Sequence, residues 1–407
     1  MDVYDLIGIG VGPTNLSLAA LLNDHKDIKS VFIERKAAFT WHDGSTSNDA
    51  LLQSNFIKDL VSAVAPTSKY SFLNYLVEAG QIYSFMNRRV GSIFRKEFSL
   101  YFQWVSQNLA NIVFSQDVKR ISHDGELFQI ETDKEKFHTK NIALACGVVP
   151  NLPQGFSTGA SIIHSSSFND YKSDDFIHKS VTVIGGAQSG AEVIDQLRQS
   201  HCLPREINWI SDRYNLFTLQ DSSFDNELYT PSFNRYFFSL SKQARKEFNK
   251  NTLFTSDGIT EQLANEIYNK IYNLKYVSDH KLKINIKLHT KVLSIDNSLN
   301  RLTIVNLDTQ ESEIIATDMI ILATGYVCCN KAALKKFGLQ NVCVDEINAD
   351  YHITLKNSGR VYIQNGCRDT FGHSDVNLSL TSWRNARIIN SLLGYQHYKL
   401  NESSIVY

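Results

Sequence analysis

The 407-residue chain is 43% hydrophobic and 20% charged, a composition that supports a large buried core in two or three domains and excludes a disordered protein. Its formal net charge is −1, from 41 basic and 42 acidic side chains, which gives no electrostatic reason to expect nucleic acid or an anionic membrane as a partner. The acidic N-terminus differs from a signal peptide, no apolar run approaches the roughly 18 residues of a transmembrane helix, and the cysteines lack C-x-x-C spacing. We therefore expect a reduced protein of the cytoplasm.

The first predicted unit is a buried strand, "VYDLIGIG", followed by a glycine-rich turn and the helix "TNLSLAALLND". Gly8 permits the tight turn, and Gly10 lets backbone N–H groups approach a pyrophosphate at the helix N-terminus. Pro13 stands where a third glycine is usual, and it is harmless there because the amides of a first helical turn are free. The next strand, "SVFIER", ends at Glu34, about 20 residues beyond the turn, where an acid accepts the ribose hydroxyls of an adenosine.

A second strand, glycine turn and helix follow in "VTVIGGAQSG" and "AEVIDQLRQS". Gly185 and Gly190 occupy the outer glycine positions, while Ala187 replaces the middle glycine and should push a pyrophosphate slightly outward. Gln188 and Ser189 precede the helix and are expected to contact the same cofactor.

The residues about 20 positions beyond the second loop indicate which nicotinamide it binds. Ser211 and Arg213 in "INWISDR" favour the 2′-phosphate of NADPH. Asp212 points the other way, because a carboxylate there could accept a free 2′-hydroxyl. We predict NADPH in preference to NADH.

Two further apolar strands, "NIALACG" and "DMIILATGY", end in a small residue and a glycine, the second at Thr324 and Gly325. Such turns let the backbone approach a bound cofactor. Two dinucleotide loops in one chain predict a flavin that is reduced by a nicotinamide, with FAD at the first loop and NADPH at the second.

The order of these motifs predicts an α/β protein with two Rossmann-like dinucleotide-binding domains and a smaller, mainly helical substrate lobe. We assign 1–150 and 318–407 to the FAD-binding domain, 151–215 and 285–317 to the NADPH-binding domain, and 216–284 to the substrate lobe. The stretches "KINIKLHTKVLSID" and "RLTIVNL" are expected to pair as antiparallel strands around "NSLN".

Three other classes of flavin protein fit less well. A dithiol–disulfide reductase needs a cysteine pair soon after the first loop, and no cysteine precedes Cys146. A Baeyer–Villiger or sulfur-oxidising monooxygenase would show F-x-G-x-x-x-H-x-x-x-[WF], whereas the spacings from Phe156 to Gly159 and from Gly159 to His164 are each one residue longer, before Phe168. A flavin-binding sensor without catalysis would not need a second loop equipped for NADPH.

The chain resembles the bacterial N-hydroxylating flavin monooxygenases of siderophore biosynthesis, the lysine N6-hydroxylase and ornithine N5-hydroxylase family. "GIGVGPTNLSLAAL" resembles the first loop of that family, in which Gly12-Pro13 and an asparagine replace the third glycine. The most specific block is "FTWHDGSTSNDALLQSNFIKDLVSAVAPTSKYSFLNYL" (39–76), and "GGAQSGAEV", "TSDGIT", "ILATGY" and "HSDVNLSLTSWRNARIIN" complete the series. "TSDGIT" above all is similar to the lysine branch.

The resemblance implies roles for individual side chains near the flavin. Trp41, His42 and Gln53 would line FAD, and Gln53 would help to hold the flavin C4a-hydroperoxide that reduced flavin forms with O₂. Without the family match, Trp41 is equally well explained as core packing.

On the substrate side, the resemblance implies that Lys58 binds the substrate, with Asn226 on the facing side. Leu378 and Ser379 would offer backbone contacts to the flavin ring and the reacting amine. Ser256 falls where the ornithine branch has an asparagine that touches substrate and cofactor. Lysines usually pair with surface acids, so Lys58 could instead pair with its neighbour, an aspartate.

The resemblance therefore implies FAD- and NADPH-dependent hydroxylation of the terminal primary amine of a small substrate, with O₂ as co-substrate and without a metal, for a hydroxamate-type siderophore. A cation such as Lys58 suits an α-carboxylate and so favours an amino acid, and "TSDGIT" favours L-lysine over L-ornithine. Asp225 and Glu227 beside Asn226 could seat the second ammonium of cadaverine or putrescine, and histamine stays open as well. We also expect a homo-oligomer, either a dimer or a tetramer.

Overall fold

The computed structural model describes residues 2–23, 25, 27–41, 44, 50–52, 54–89, 91–199, 203–278, 282–296, 301–355 and 359–407. Their α-helices are α1 (Pro13–Asn23), α2 (Phe72–Glu78), α3 (Ile82–Asn87), α4 (Arg95–Gln107), α5 (Gln188–Gln199), α6 (Pro231–Ser239), α7 (Lys242–Asn251), α8 (Glu261–Tyr276), α9 (Asn330–Lys336), α10 (Arg368–Phe371) and α11 (Thr381–Leu393). Short 3-10 helices cover Ser165–Asp170, Ser173–Phe176, Asp225–Tyr229, Leu253–Thr255, Val344–Glu346, His373–Val376 and Leu378–Leu380.

The strands in the described residues form five sheets, which confirms the mixed α/β class. They are β1 (Val3–Tyr4), β2 (Leu6–Ile9), β3 (Ser30–Ile33), β4 (Ile112–Val113), β5 (Val118–His123), β6 (Phe128–Thr132), β7 (Lys136–Thr139), β8 (Asn141–Leu144), β9 (Val148–Pro150), β10 (Ile162–His164), β11 (Ser180–Ile184), β12 (Glu206–Ile210), β13 (Lys283–Lys287), β14 (Thr290–Asp296), β15 (Arg301–Asn306), β16 (Ser312–Ala316), β17 (Met319–Leu322), β18 (Tyr326–Cys328), β19 (His352–Thr354) and β20 (Arg360–Ile363).

The first unit is a six-stranded sheet in the order β19-β20-β8-β2-β3-β4, parallel except for β19. Every residue of β2 is buried, as expected for an apolar strand that helices cover on both faces. Helix α1 is buried from Thr14 to Leu22 and packs against α11. The Asn385 amide of α11 donates to the Thr14 carbonyl oxygen at 2.9 Å, so the C-terminal helix holds the helix that follows the first glycine turn.

The second unit is a five-stranded parallel sheet in the order β10-β17-β11-β12-β13. The strands that make up this second sheet correct two of the predicted domain borders. The FAD-binding part was expected to resume at 318, but β17 pairs with both β10 and β11 and completes the second sheet, so the chain returns to the first unit only after Leu322. At the other border, β13 begins at Lys283, before the expected 285.

Three small sheets complete the strands. The predicted antiparallel pair is confirmed for β14 and β15, whereas the preceding stretch forms β13 and joins the parallel sheet; the "NSLN" turn lies outside the described residues. β16 extends that pair, the order β1-β7-β6-β5 forms a four-stranded sheet, and β9 pairs with β18 where the chain crosses between the units.

Between β12 and β13 the described residues form α6, α7, α8 and two 3-10 helices, in agreement with a mainly helical lobe. A small core of Leu228, Tyr229, Phe233 and Phe237 holds this lobe together. Asn234 of α6 is buried; its amide donates to the Phe371 carbonyl oxygen at 3.2 Å and thereby ties the lobe to the first unit.

Among the helices that the structure describes, none combines the length and the hydropathy needed to cross a membrane.

Candidate functional site

The first glycine turn joins β2 to α1. Gly10 has a φ of +82°, and a Cβ atom there would lie 2.6 Å from the Ala145 carbonyl oxygen, so only glycine fits. At Gly12, by contrast, a Cβ atom would meet no protein atom within 4 Å, which leaves open space beside the turn for a ligand. Pro13 is the first residue of α1, as its missing N–H predicts.

Asn15, in the first turn of α1, ties the first glycine turn to the sheet. Its side chain is fully buried and donates to the carbonyl oxygens of Gly10 at 2.8 Å and Ala143 at 3.2 Å. Its amide oxygen accepts from the Gln364 amide at 2.8 Å. One asparagine therefore binds the turn to β8 and to the end of β20.

Glu34 lies beside the same turn, where its spacing predicted it. Its carboxylate accepts from the Val11 N–H at 2.8 Å and from the Lys36 N–H at 2.9 Å. The acid is thus held at the end of β3 by backbone donors, in a position suited to a ribose.

The second glycine turn joins β11 to α5. A Cβ atom at Gly190 would lie 2.1 Å from the Gly185 carbonyl oxygen, so the helix packs directly onto the turn. The Trp209 indole N–H donates to that same oxygen at 2.8 Å. Gln188 uses both ends of its amide: it donates to the Glu192 carboxylate at 3.0 Å and accepts from the Thr260 N–H at 2.9 Å.

Ser211 and Arg213 lie together at the end of β12. The buried Ser211 hydroxyl oxygen accepts from the Arg213 N–H at 3.1 Å. The Arg213 guanidinium donates to the Asp257 carbonyl oxygen at 2.6 Å and lies over the Phe254 ring, 5.5 Å from its centroid. The lobe therefore helps to hold the arginine that the sequence assigned to the 2′-phosphate.

The second glycine turn and, next to the first turn, Pro13 and Thr14 at the start of α1 line one cavity of about 960 Å³. The predicted site residues that line it are Pro13, Trp41, Gly185, Gln188, Ser189, Ser211, Arg213, Ser256, Thr324, Gly325 and Leu378. Of the other described predictions, Gly8, Gly10, Gly12, Glu34, Lys58, Gly190, Asn226 and Ser379 do not line this cavity. His42 and Gln53 lie outside the described residues.

Trp41 and the "ATGY" turn combine packing with exposure to the cavity. The Trp41 ring meets Phe102 edge-on, with centroids 5.1 Å apart, and still forms part of the cavity wall. The Thr324 hydroxyl donates to the Asn151 carbonyl oxygen, and a ring nitrogen of His164 lies 3.0 Å from the Gly325 carbonyl oxygen. These residues can therefore pack in the core and also line a cofactor site, so the two interpretations do not exclude each other.

Lys58 is half-buried, and its side chain makes one hydrogen bond to the described residues, from Nζ to the Ser379 hydroxyl oxygen at 3.3 Å. Burial lowers the pKa of its ammonium group. The neighbouring Asp59 carboxylate is not its partner, because it accepts from the backbone N–H groups of Val61 and Phe72 at 2.9 and 2.7 Å. Among the described residues, no carboxylate forms an ion pair with the Lys58 ammonium group.

Asn226 lies apart from these residues. It is exposed, and its amide donates to the carbonyl oxygens of Asp221 and Ser222, each at 3.0 Å. The structure thus brings Lys58 and Ser379 together but does not place Asn226 in contact with either of them.

A polar cluster around Ser256 was not predicted. Arg368 donates from one nitrogen, Nη2, to the Ser256 hydroxyl at 3.1 Å, the Asp257 carboxylate at 3.0 Å and His373 Nδ1 at 2.8 Å. His373 Nε2 lies 2.9 Å from the Thr252 hydroxyl. Since Nδ1 accepts from a guanidinium, the ring is neutral with its proton on Nε2, and burial together with Arg368 lowers the pKa of His373 to about 4.

Ser256, Asp257 and Arg368 line the cavity, so this cluster presents one cation and one carboxylate to whatever occupies it. The sequence indicated this cluster only indirectly: "TSDGIT" and the block that begins at His373 each resemble segments of the N-hydroxylase family. Neither match indicates that the two segments meet.

Two largely parallel sheets, each followed by a glycine turn and by a helix whose first residue lines one shared cavity, are typical of a dinucleotide-dependent oxidoreductase. The model of the L-lysine 6-monooxygenase/L-ornithine 5-monooxygenase family matches residues 2–328, and the chain belongs to this family. It is therefore an N-hydroxylating flavin monooxygenase, as the sequence blocks predicted.

Three relatives show how close the likeness is. L-lysine N6-monooxygenase of Escherichia coli is 33% identical over 98% of this chain and 96% of its own length. The FAD-bound cadaverine monooxygenase of desferrioxamine biosynthesis from Erwinia amylovora superposes with a TM-score of 0.89 at 27% identity, covering 100% of this chain and 98% of that one. The ornithine N-hydroxylase of Kutzneria sp. 744, with reduced FAD, NADP⁺ and L-ornithine, gives 0.88 at 26% identity, covering 97% and 99%.

Proposed function

We propose that this chain uses FAD and NADPH to hydroxylate the terminal primary amine of a small substrate, with L-lysine as the first candidate, for a hydroxamate-type siderophore. FAD would bind the first unit and NADPH the second, with the border between them after Leu322. The observation that carries the proposal is the single cavity that is lined both by the start of α1, directly after the first glycine turn, and by the second glycine turn.

The chain's own residues fit the two cofactors. The open space at Gly12, the acid Glu34 and the N-terminus of the buried helix α1 suit the adenosine and pyrophosphate of FAD. Ser211 and Arg213 suit a 2′-phosphate at the other turn. When bound, NADPH reduces FAD and the reduced flavin supplies the O₂ chemistry; the protein contributes position and exclusion of water.

Lys58 supports an amino acid as substrate. A half-buried ammonium group without a carboxylate partner among the described residues is suited to the α-carboxylate of L-lysine or L-ornithine. The two acids that could seat a second ammonium, Asp225 and Glu227, do not line the cavity. Asp225 accepts from the Ser222 hydroxyl at 2.6 Å, and Glu227 accepts from the Ser404 hydroxyl.

A diamine is the second candidate, supported by the high structural similarity to the cadaverine monooxygenase. The cavity wall also offers the Asp257 carboxylate, although Arg368 neutralises it in part. Putrescine and histamine belong to the same group of substrates without a carboxylate.

The experiment is a hydroxylamine assay with purified FAD-loaded protein and NADPH on L-lysine, L-ornithine, cadaverine, putrescine and histamine. We expect the highest kcat/KM for L-lysine. Faster turnover of any carboxylate-free amine would refute the lysine assignment and leave N-hydroxylation intact. No hydroxylamine from any of the five, with NADPH still consumed, would contradict the proposed substrate group as a whole.

We further propose a cytoplasmic location, which fits the free thiols of Cys146, Cys328, Cys329, Cys343 and Cys367. The dimer or tetramer stays a prediction, which light scattering of the purified protein would check.

A further inference from the structure

A buried ion pair connects the two dinucleotide-binding units. Arg95 is the first residue of α4 in the first unit, and Glu192 lies in α5 of the second. Arg95 Nη2 and Glu192 Oε1 are 3.1 Å apart, and the side chains are only 17% and 10% exposed. Little water reaches this pair, so each charge depends on the other.

On the side of the second unit, the pair continues into the glycine turn. The Glu192 oxygen that meets Arg95 also accepts from the Gln188 amide at 3.0 Å. The other end of that amide accepts from the Thr260 N–H, at the start of α8 in the lobe. Gln188 lines the cavity, so both ends of a cavity-wall side chain are held by this network.

On the side of the first unit, the backbone at Arg95 holds the segment 50–52. The Arg95 N–H donates to the Ala50 carbonyl oxygen at 2.8 Å, and the Leu52 N–H donates to the Ile93 carbonyl oxygen at 2.8 Å. The residue that anchors α5 is therefore also hydrogen-bonded to a segment of the family's most specific block.

We propose that Arg95 and Glu192 are positioning residues that hold Gln188, and with it the second glycine turn, in the geometry that binds NADP(H). The proposal rests on the assignment of NADPH to that turn. Without Arg95, the Glu192 carboxylate is buried without its counter-ion and moves toward water, which releases the Gln188 amide and separates α5 from the first unit.

The test measures the Kd of NADP⁺ by titration of FAD-loaded protein carrying Arg95→Met, Glu192→Ala or Glu192→Gln. We expect Arg95→Met and Glu192→Ala to raise the Kd about tenfold, and Glu192→Gln to raise it less, about threefold, because its amide oxygen can still accept from Gln188 and Arg95 although Arg95 loses its counter-ion. The hydroxylamine formed per NADPH consumed should fall in the same two variants.

Arg88 and Glu97 provide the matched control, since they form an ion pair of 2.9 Å that involves the same helix α4 but lies within the first unit. Arg88→Met should lower the melting temperature by an amount comparable to Arg95→Met and leave the Kd of NADP⁺ unchanged. Equal shifts of the Kd in the two variants, or an unchanged Kd in Arg95→Met, would overturn the positioning role.

The wild-type titration separates this inference from the proposed function. If the wild type binds NADP⁺ and the Arg95 and Glu192 variants bind it equally well, only the positioning role is wrong. If the wild type does not bind NADP⁺, the cofactor assignment fails and the positioning role fails with it. If NADP⁺ binds but no amine is hydroxylated, the Kd series still decides the role of the pair.

Discussion

Replacing Lys58 by methionine should separate substrate binding from folding. Methionine keeps an apolar stem of similar length and removes only the ammonium group. That group donates to the Ser379 hydroxyl at 3.3 Å and has no carboxylate partner among the described residues. Any large loss in the variant would therefore come from the substrate rather than from a broken internal ion pair.

The magnitude follows from the hydrogen bond that the variant cannot make. A hydrogen bond between an ammonium group and a carboxylate contributes about 1.5–3 kcal/mol, so KM for L-lysine should rise roughly 10- to 150-fold. The contact is equally present in the ground and transition states, so kcat should change little. Cadaverine lacks the carboxylate, and its KM should stay within about twofold.

Whereas substrate binding should weaken in Lys58→Met, the free energy of unfolding should stay the same or increase. Burial lowers the pKa of Lys58, so below that lowered pKa the ammonium is protonated in both states and the folded state carries the whole desolvation penalty. This penalty disappears as the pH rises through the lowered pKa toward the ordinary 10.5. Lys58→Met should therefore be as stable as the wild type at pH 7 or more stable, with the difference shrinking in alkaline solution.

Steady-state kinetics on L-lysine and cadaverine, together with urea unfolding at pH 7, would check both expectations. The exposed Lys96 supplies the control, since Lys96→Met should change neither KM. Equal losses on the two amines, or clear destabilisation by Lys58→Met, would refute the reasoning.

Three other variants test the remaining parts of the site. Arg213→Ala should abolish the preference for NADPH in the ratio of kcat/KM values for the two nicotinamides; an unchanged ratio would remove Arg213 from the cofactor site. Arg384 and Asp375 form a buried pair at 2.7 Å, with side chains 1% and 0% exposed, so Arg384→Met should lower the free energy of unfolding by about 3–5 kcal/mol in urea, and a change below about 1 kcal/mol would contradict this. His373 has its pKa lowered from 6.5 to about 4, so the unfolded chain binds the proton more readily between these values, and roughly 2 kcal/mol of stability should be lost from pH 7 to pH 5. His373→Gln should lose less over the same range.

The local motifs could be predicted from the sequence because their signal is local. The strand, turn and helix at each glycine loop lie within about twenty residues, and both loops are confirmed at the positions where the periodicity placed them. The position of β17 could not be predicted in this way. An apolar strand that ends in "ATGY" suits either parallel sheet, and only its pairing with β10 and β11 decides which one takes it.

The unpredicted part of the site depends on contacts across the chain. Arg368 and Ser256 are 112 residues apart in sequence, and no periodicity links their segments. The pairing of Lys58 with its neighbour was a reasonable expectation, but backbone donors occupy the Asp59 carboxylate because the turn at 59–62 and the start of α2 both point N–H groups at it.

The asparagine at the first turn limits how freely that turn can be exchanged. Grafting a loop from another flavoprotein that also replaces residue 15 would remove Asn15 and leave the Gln364 amide, 349 residues away, without its acceptor. The amide oxygen of Gln364 has no hydrogen-bond partner among the described residues. The graft would therefore leave this buried side chain with neither a donor to its oxygen nor an acceptor for its nitrogen. The first glycine turn and the end of β20 therefore depend on each other through Asn15 and Gln364. A cofactor loop that lacks Asn15 can be transplanted into this protein only together with a change at position 364.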